Sequence, residues 1–235
     1  MSFIFKPRVK KKKPALFFDL VGTLLDVAQP VGEVYSKMLK EYGIDSDPRL
    51  LQKNFMVIFE AMKKRPNGSI PKNGEDKAFW FELVSSVLKE SRIQPSSFSV
   101  RSYFEELYFY YSKKEAWRPY PEVVSALEKM SSSGFSLFVA SNWDNRARKV
   151  LSEWGMTQFF KDIFLSAELG IAKPSALFYN ILLLKTKRYL DSFFFIEDDP
   201  QMKPPFDLGN YVYVLKRPEK NLFDFFYEIS KNLID

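Results

Sequence analysis

The chain has 235 residues, of which 46% are apolar, and a formal net charge of +6. That length holds one large domain, or one domain carrying a smaller insert. It contains no cysteine and no histidine, which excludes disulfides, thiolate or imidazole metal sites, and every nucleophilic mechanism built on those side chains.

The first segment, residues 1–14, is a basic tail. Lys6, Arg8, Lys10, Lys11, Lys12 and Lys13 stand before the first strand, so the rest of the chain is near neutral. Such an arm reads as solvated and mobile, with no basis for nucleic-acid recognition. The N-terminus lacks a stretch of signal-peptide length, and no apolar run approaches the roughly 20 residues of a membrane span. The expectation is a cytoplasmic protein without a membrane partner; the oligomeric state is not legible.

Ala15–Leu20 is a short apolar run broken by Asp19 and followed by Gly22-Thr23, a buried strand feeding a tight turn. From about Pro30 to Lys114 the pattern is helical. Val31, Val34, Tyr35, Met38, Leu39 and Tyr42 share one face, with Gly43 placed to end that helix. Further helices are expected over about 50–62, 75–90 and 99–112, separated by a Pro- and Gly-bearing loop at 65–74. Asp26–Gln29 and Trp117–Pro121 are the expected hinges. Further strands are expected at 135–140, 163–166, 193–196 and 211–215, with helices over 122–130, 145–154 and 175–184 between them. Strands alternating with helices imply a parallel sheet. The predicted architecture is α/β: a Rossmann-like parallel-sheet core of residues 15–28 and 116–235, with an all-helical cap of residues 29–115 inserted after the first strand.

In an open parallel sheet, ligands bind beyond the C-terminal strand ends. Asp19, Ser141, Lys173 and the pair Asp198 and Asp199 all fall at such ends. Asp19 can act as a nucleophile, forming an aspartyl intermediate. Phosphoryl transfer needs its oxygens neutralised, and Lys173 supplies a fixed charge. Ser141, with backbone N–H groups near Asn142 and Gly22, can bind the oxygens of the transferred group; Thr23, in the same turn, is counted with these substrate-binding candidates. With only oxygen ligands on offer, a hard cation is the natural cofactor. Mg²⁺ would sit on Asp19, Asp198 and a main-chain carbonyl near Val21.

Asp19-Leu20-Val21-Gly22-Thr23-Leu24 resembles the first motif of the haloacid dehalogenase superfamily. Ser141, Lys173 and Glu197-Asp198-Asp199 resemble its second, third and fourth motifs in order and spacing. Pro30–Tyr35, Phe79-Trp80 and Ser141–Asp144 are also similar to one subgroup of dehalogenase-like hydrolases. The resemblance implies an Mg²⁺-dependent hydrolase of a small phosphorylated metabolite, closed by the cap. This sequence departs from the phosphatase pattern twice. Val21 stands where those enzymes carry a second, proton-transferring aspartate. Lys203 stands where the fourth motif has a further acidic residue, leaving Asp199 or Asp207 as substitutes. Glu197 replaces a common glycine and is expected only to crowd its loop. Two rival readings follow: a metal-independent 2-haloacid dehalogenase, with Arg49 or Arg65 near the halide, and a weak or inactive binding protein on the same fold. Lys53, Lys63 and Lys64 are expected on solvated helix faces. Trp80, Phe81 and Tyr108–Tyr111 are expected in the core of the insert, with one ring over the cleft.

Overall fold

A computed structural model describes residues 13–63, 76–94, 99–187, 192–205 and 212–231. Expectations for residues 1–12, Lys64, Arg65, the loop at 65–74, Asp207 and Tyr211 fall outside that range. The chain begins with β1 (Ala15–Phe18) and a short β2 (Leu25–Val27), then four helices: α1 (Val31–Glu41), α2 (Pro48–Lys63), α3 (Asp76–Glu90) and α4 (Val100–Tyr110). It returns through β3 (Trp117–Pro119) to α5 (Val123–Ser132), β4 (Ser136–Ser141), α6 (Arg146–Glu153) and β5 (Phe160–Leu165). A single turn, α7 (Ser166–Leu169), precedes α8 (Ala176–Thr186), β6 (Phe193–Glu197), β7 (Val212–Val214) and α9 (Leu222–Lys231). Among the described residues no helix is long and apolar enough to cross a membrane.

The main sheet is parallel, in the order β5-β4-β1-β6-β7. β1 is central and wholly buried, as its unbroken apolar sequence requires when both faces are covered. Side chains alternate between those faces. Leu16 and Phe18 join Leu137, Val139 and Ile196 under α5, α6 and α9. Phe17 points the other way, stacked 5.0 Å from both Phe138 and Phe195, in the cluster that receives Phe178, Tyr179 and Leu182 of α8. This phenylalanine ladder across three strands explains part of the chain's 24 phenylalanines.

α1–α4 pack around a separate cluster that includes Val34, Tyr35, Leu39, Leu83, Val87, Tyr103 and Phe104. The two connecting segments expected as hinges are joined by an antiparallel ribbon: Leu25 opposite Pro119, Asp26 opposite Arg118, Val27 opposite Trp117. Their backbone groups satisfy one another this way. β5 begins at Phe160, before the expected Ile163, because the exposed edge tolerates Lys161 and Asp162. Lys173 lies in the loop between α7 and α8, beyond the C-terminal end of β5. α9 was not expected, although Leu222, Phe225, Phe226 and Ile229 form its buried stripe.

Phe17→Ala removes the centre of the ladder. It should destabilise the protein by about 3–5 kcal/mol, read from denaturant unfolding at constant slope.

Candidate active site

The strand order reverses at β1, with β4 on one side and β6 on the other, so the crevice for a ligand opens beyond Phe18, Ser141 and Glu197. Asp19 is the first residue past β1. Its backbone N–H donates to the Ile196 carbonyl at 3.0 Å, continuing the ladder. Its side chain is 14% exposed, and Oδ1 accepts a 2.9 Å hydrogen bond from Lys173 Nζ.

Lys173 is buried, and its Nζ also donates to both oxygens of Glu197, at 2.9 and 2.8 Å. Burial alone would depress the ammonium, but the Asp19 and Glu197 carboxylates outweigh it and hold the group above its ordinary value. Three hydrogen bonds from one nitrogen use all three ammonium protons, so Lys173 is charged. Burial pushes the Glu197 carboxyl upward while the ammonium opposes it; the two-oxygen grip is that of an ionised carboxylate. Glu197 therefore does not merely crowd its loop. It is the buried counter-charge that lets Lys173 sit beneath Asp19, and only its place at the end of an apolar strand hinted at this.

Asn142 holds the Lys173 backbone from β4. Its Nδ2 donates to the Lys173 carbonyl at 3.0 Å, and its Oδ1 accepts from the Lys173 N–H at 2.8 Å. The Asn142 side chain is thus occupied in fixing the lysine loop, and the expected contact to the transferred group falls on backbone N–H groups near it. Ser141 is buried as the last residue of β4.

The turn after Asp19 is tight. The N–H groups of Thr23, Leu24 and Leu25 all donate to the Leu20 carbonyl. Gly22 has φ +86°, and a Cβ built there would fall 2.1 Å from Asp198 Oδ2. Glycine is required on both counts. Thr23 is fully buried; its hydroxyl has no hydrogen-bond partner among the described residues, and its carbonyl accepts from Arg217 at 2.8 Å. Arg217 also pairs with Glu122 and lies 3.8 Å over the Tyr120 ring, tying the turn to the re-entrant segment. Val21 is 40% exposed, and its side chain has no proton to give.

Asp198 lies against Gly22 with one side open to solvent. Lost hydration and the nearby Asp19 charge push its carboxyl up to about 6. Asp199 is turned elsewhere: Oδ1 accepts from the Gln201 N–H at 2.9 Å, and Oδ2 stands 3.8 Å from Lys63 at the end of α2. Lys203 is exposed. Among the described residues no group of three or more carboxylates is arranged to hold a metal ion. The oxygen donors Asp19 and Asp198, with the Val21 carbonyl, still suit Mg²⁺, which commonly takes one or two carboxylates and keeps several waters. Burial is the larger cause of the upward push on Asp198, and the part due to the Asp19 charge is one that a cation would relieve.

Sequence reading also missed Arg146. It donates to both oxygens of Asp144, at 2.8 and 2.6 Å. Its guanidinium lies 3.8 Å over the Tyr108 ring and 5.7 Å from Trp80. A core side chain thus seats α3 and α4 beside the cleft. Lys53 and Arg49 are solvated on α2, as expected for Lys53.

In metal-free protein, the native state holds the Asp198 proton more tightly than the unfolded chain does. Stability should therefore fall as pH rises from about 4 through about 6. Asp198→Asn should flatten that slope, read from urea midpoints across the window with a chelator present.

A family model described as haloacid dehalogenase-like hydrolase matches residues 13–201. A Xenopus laevis protein described as haloacid dehalogenase-like hydrolase domain-containing protein 3 is 27% identical over 169 residues, covering 71% of this chain and 69% of the relative. A Bacillus subtilis structure described as a HAD-hydrolase, YfnB, bound to magnesium superposes with a TM-score of 0.67 at 15% identity, covering 93% of this chain and 99% of that one. The L-2-haloacid dehalogenase of Xanthobacter autotrophicus, with chloropropionic acid covalently bound, gives a TM-score of 0.57 at 14% identity, covering 80% and 70%. At such identities the structural likeness speaks for the fold.

Proposed function

The chain belongs to the haloacid dehalogenase-like hydrolase family, and from that premise we propose that it hydrolyses a small phosphorylated metabolite through an aspartyl-phosphate at Asp19, with Mg²⁺ as cofactor. The observation that carries the reading is the 2.9 Å contact between Asp19 and Lys173 at the end of the central strand. The ammonium orients the Asp19 carboxylate for attack and leaves a fixed positive charge beside the transferred group. Asp19, Asp198 and the Val21 carbonyl would hold Mg²⁺, which would supply charge neutralisation of the phosphoryl oxygens.

In the first step an Asp19 oxygen bonds to phosphorus and the phosphorus–oxygen bond to the leaving group breaks. In the second, water attacks the phosphoaspartate, releasing phosphate and regenerating Asp19. Val21 can neither protonate the leaving oxygen nor take a proton from the water. Those protons exchange with solvent, and activated leaving groups are favoured. The four-helix insert, residues 29–115, acts as the cap, seated by Arg146 on Tyr108, and excludes water once a substrate is bound.

A metal-independent dehalogenase is the second reading. Val21 favours it, since carbon–halogen displacement releases an anion that needs no proton. The carboxylates of Asp198 and Asp199 at the mouth argue against it, because they repel a departing halide.

Hydrolysis of an activated aryl phosphate should require both Mg²⁺ and Asp19, with Asp19→Asn reducing it to the uncatalysed rate. Val21→Asp should raise turnover of an unactivated phosphomonoester, by up to about 10²–10⁴-fold if it restores full acid–base assistance. Turnover that persists in Asp19→Asn would overturn the assignment; halide release from a 2-haloacid without metal would establish the alternative.

A further inference from the structure

The floor of the cleft is short of positive charge. Asp19 and Asp198 bring carboxylates to it, with Asp199 at its edge, while the Lys173 ammonium is shared between Asp19 and the buried Glu197. Even a bound divalent cation leaves this floor negative, so a substrate with more than one acidic group would be repelled unless the cap supplies charge. Lys63, the last residue of α2, is a cap cation that reaches the floor. Its Nζ lies 3.8 Å from Asp199 Oδ2, too far to donate a hydrogen bond there. Its closer partner is Glu60, 3.0 Å away and 47% exposed, an i,i+3 pair that binds weakly.

Lys63 is also backed by apolar surface. Nζ lies 5.5 Å from the Phe59 ring, and Phe59 stacks on Trp80 at 5.9 Å. Lys63 is left with loose partners only, the exposed Glu60 pair and the long Asp199 contact, and an anion would improve on both. Lys63 stands against Asp199, just past the end of β6, whereas the cation against Asp19 is Lys173.

We propose that Lys63 is a specificity residue for phosphoesters whose leaving group carries a second anion, a carboxylate or a further phosphate; this rests on the phosphoester reading of the site. A neutral leaving group gains nothing from Lys63. An acidic one exchanges the long Asp199 contact for a direct, charge-assisted hydrogen bond, a difference of about tenfold in affinity.

The test uses non-hydrolysable ligands and the full chain with Mg²⁺. Calorimetry compares a plain alkylphosphonate with the same chain bearing a terminal carboxylate, and with the same chain bearing a second phosphonate. Wild type should bind at least one acidic ligand about tenfold more tightly than the plain one, and the preferred acid names the class. Lys63→Ala should abolish that preference and Lys63→Arg should keep it. A preference that survives Lys63→Ala, or a wild type that binds all three alike or none, overturns the proposal. Discriminating binding without any turnover of the aryl phosphate would count against the hydrolase reading and leave the Lys63 assignment standing.

Discussion

The structure turns on one buried cation. Lys173 is held by Asp19 on the side of the cleft and by both oxygens of Glu197 on the side of the sheet. A lysine this deep is costly to desolvate, and only well-placed counter-charges with good hydrogen-bond geometry make it tolerable. The counter-charges come from the ends of β1 and β6, and the lysine from the loop between α7 and α8, whose backbone Asn142 clamps from the end of β4. The parallel sheet is what brings these ends together. Losing the ammonium would leave two close carboxylates uncompensated.

From that point the chemistry divides into what is complete and what is lacking. In the proposed chemistry, Asp19 as nucleophile and the Lys173 charge beside it are both in place. The turn that carries them is drawn so tight that only glycine fits between it and Asp198. Proton transfer to the leaving group is lacking, since Val21 occupies the place from which a carboxylate would act. An enzyme with this arrangement gains its rate from positioning and electrostatics, which dominate phosphoryl transfer, and loses the part that acid–base help contributes. Such a site is selective for its leaving group, which places much of the specificity on the helical insert above it.

The sequence made the core legible because its signals were local: apolar strands ending in polar residues, with helical stretches between. Asp19, Ser141, Lys173 and Asp198 could be placed at the same sheet edge because a parallel sheet puts every strand's C-terminus on one side. The missed features depend on pairings no local pattern announces. Glu197 looked like an intruder until its partner 24 residues away in sequence was beside it. The β2–β3 ribbon joins segments on either side of the insert, each too short to read as a strand. Arg146 and Lys63 look like surface charges on their own helices, and acquire meaning only from Tyr108 and Asp199 across the cleft. Asp199, read as a spare metal ligand, is turned by the Gln201 N–H toward the insert.

The most direct test of the account is whether a phosphoryl group becomes covalently attached to Asp19. Wild-type protein quenched during turnover of an activated aryl phosphate in Mg²⁺ would be digested and its peptides analysed by mass spectrometry, with borohydride reduction to mark an acyl phosphate. The account predicts one modified carboxylate, in the peptide carrying Asp19, that disappears in Asp19→Asn. Turnover with no adduct on Asp19, or with an adduct on another residue, would contradict it.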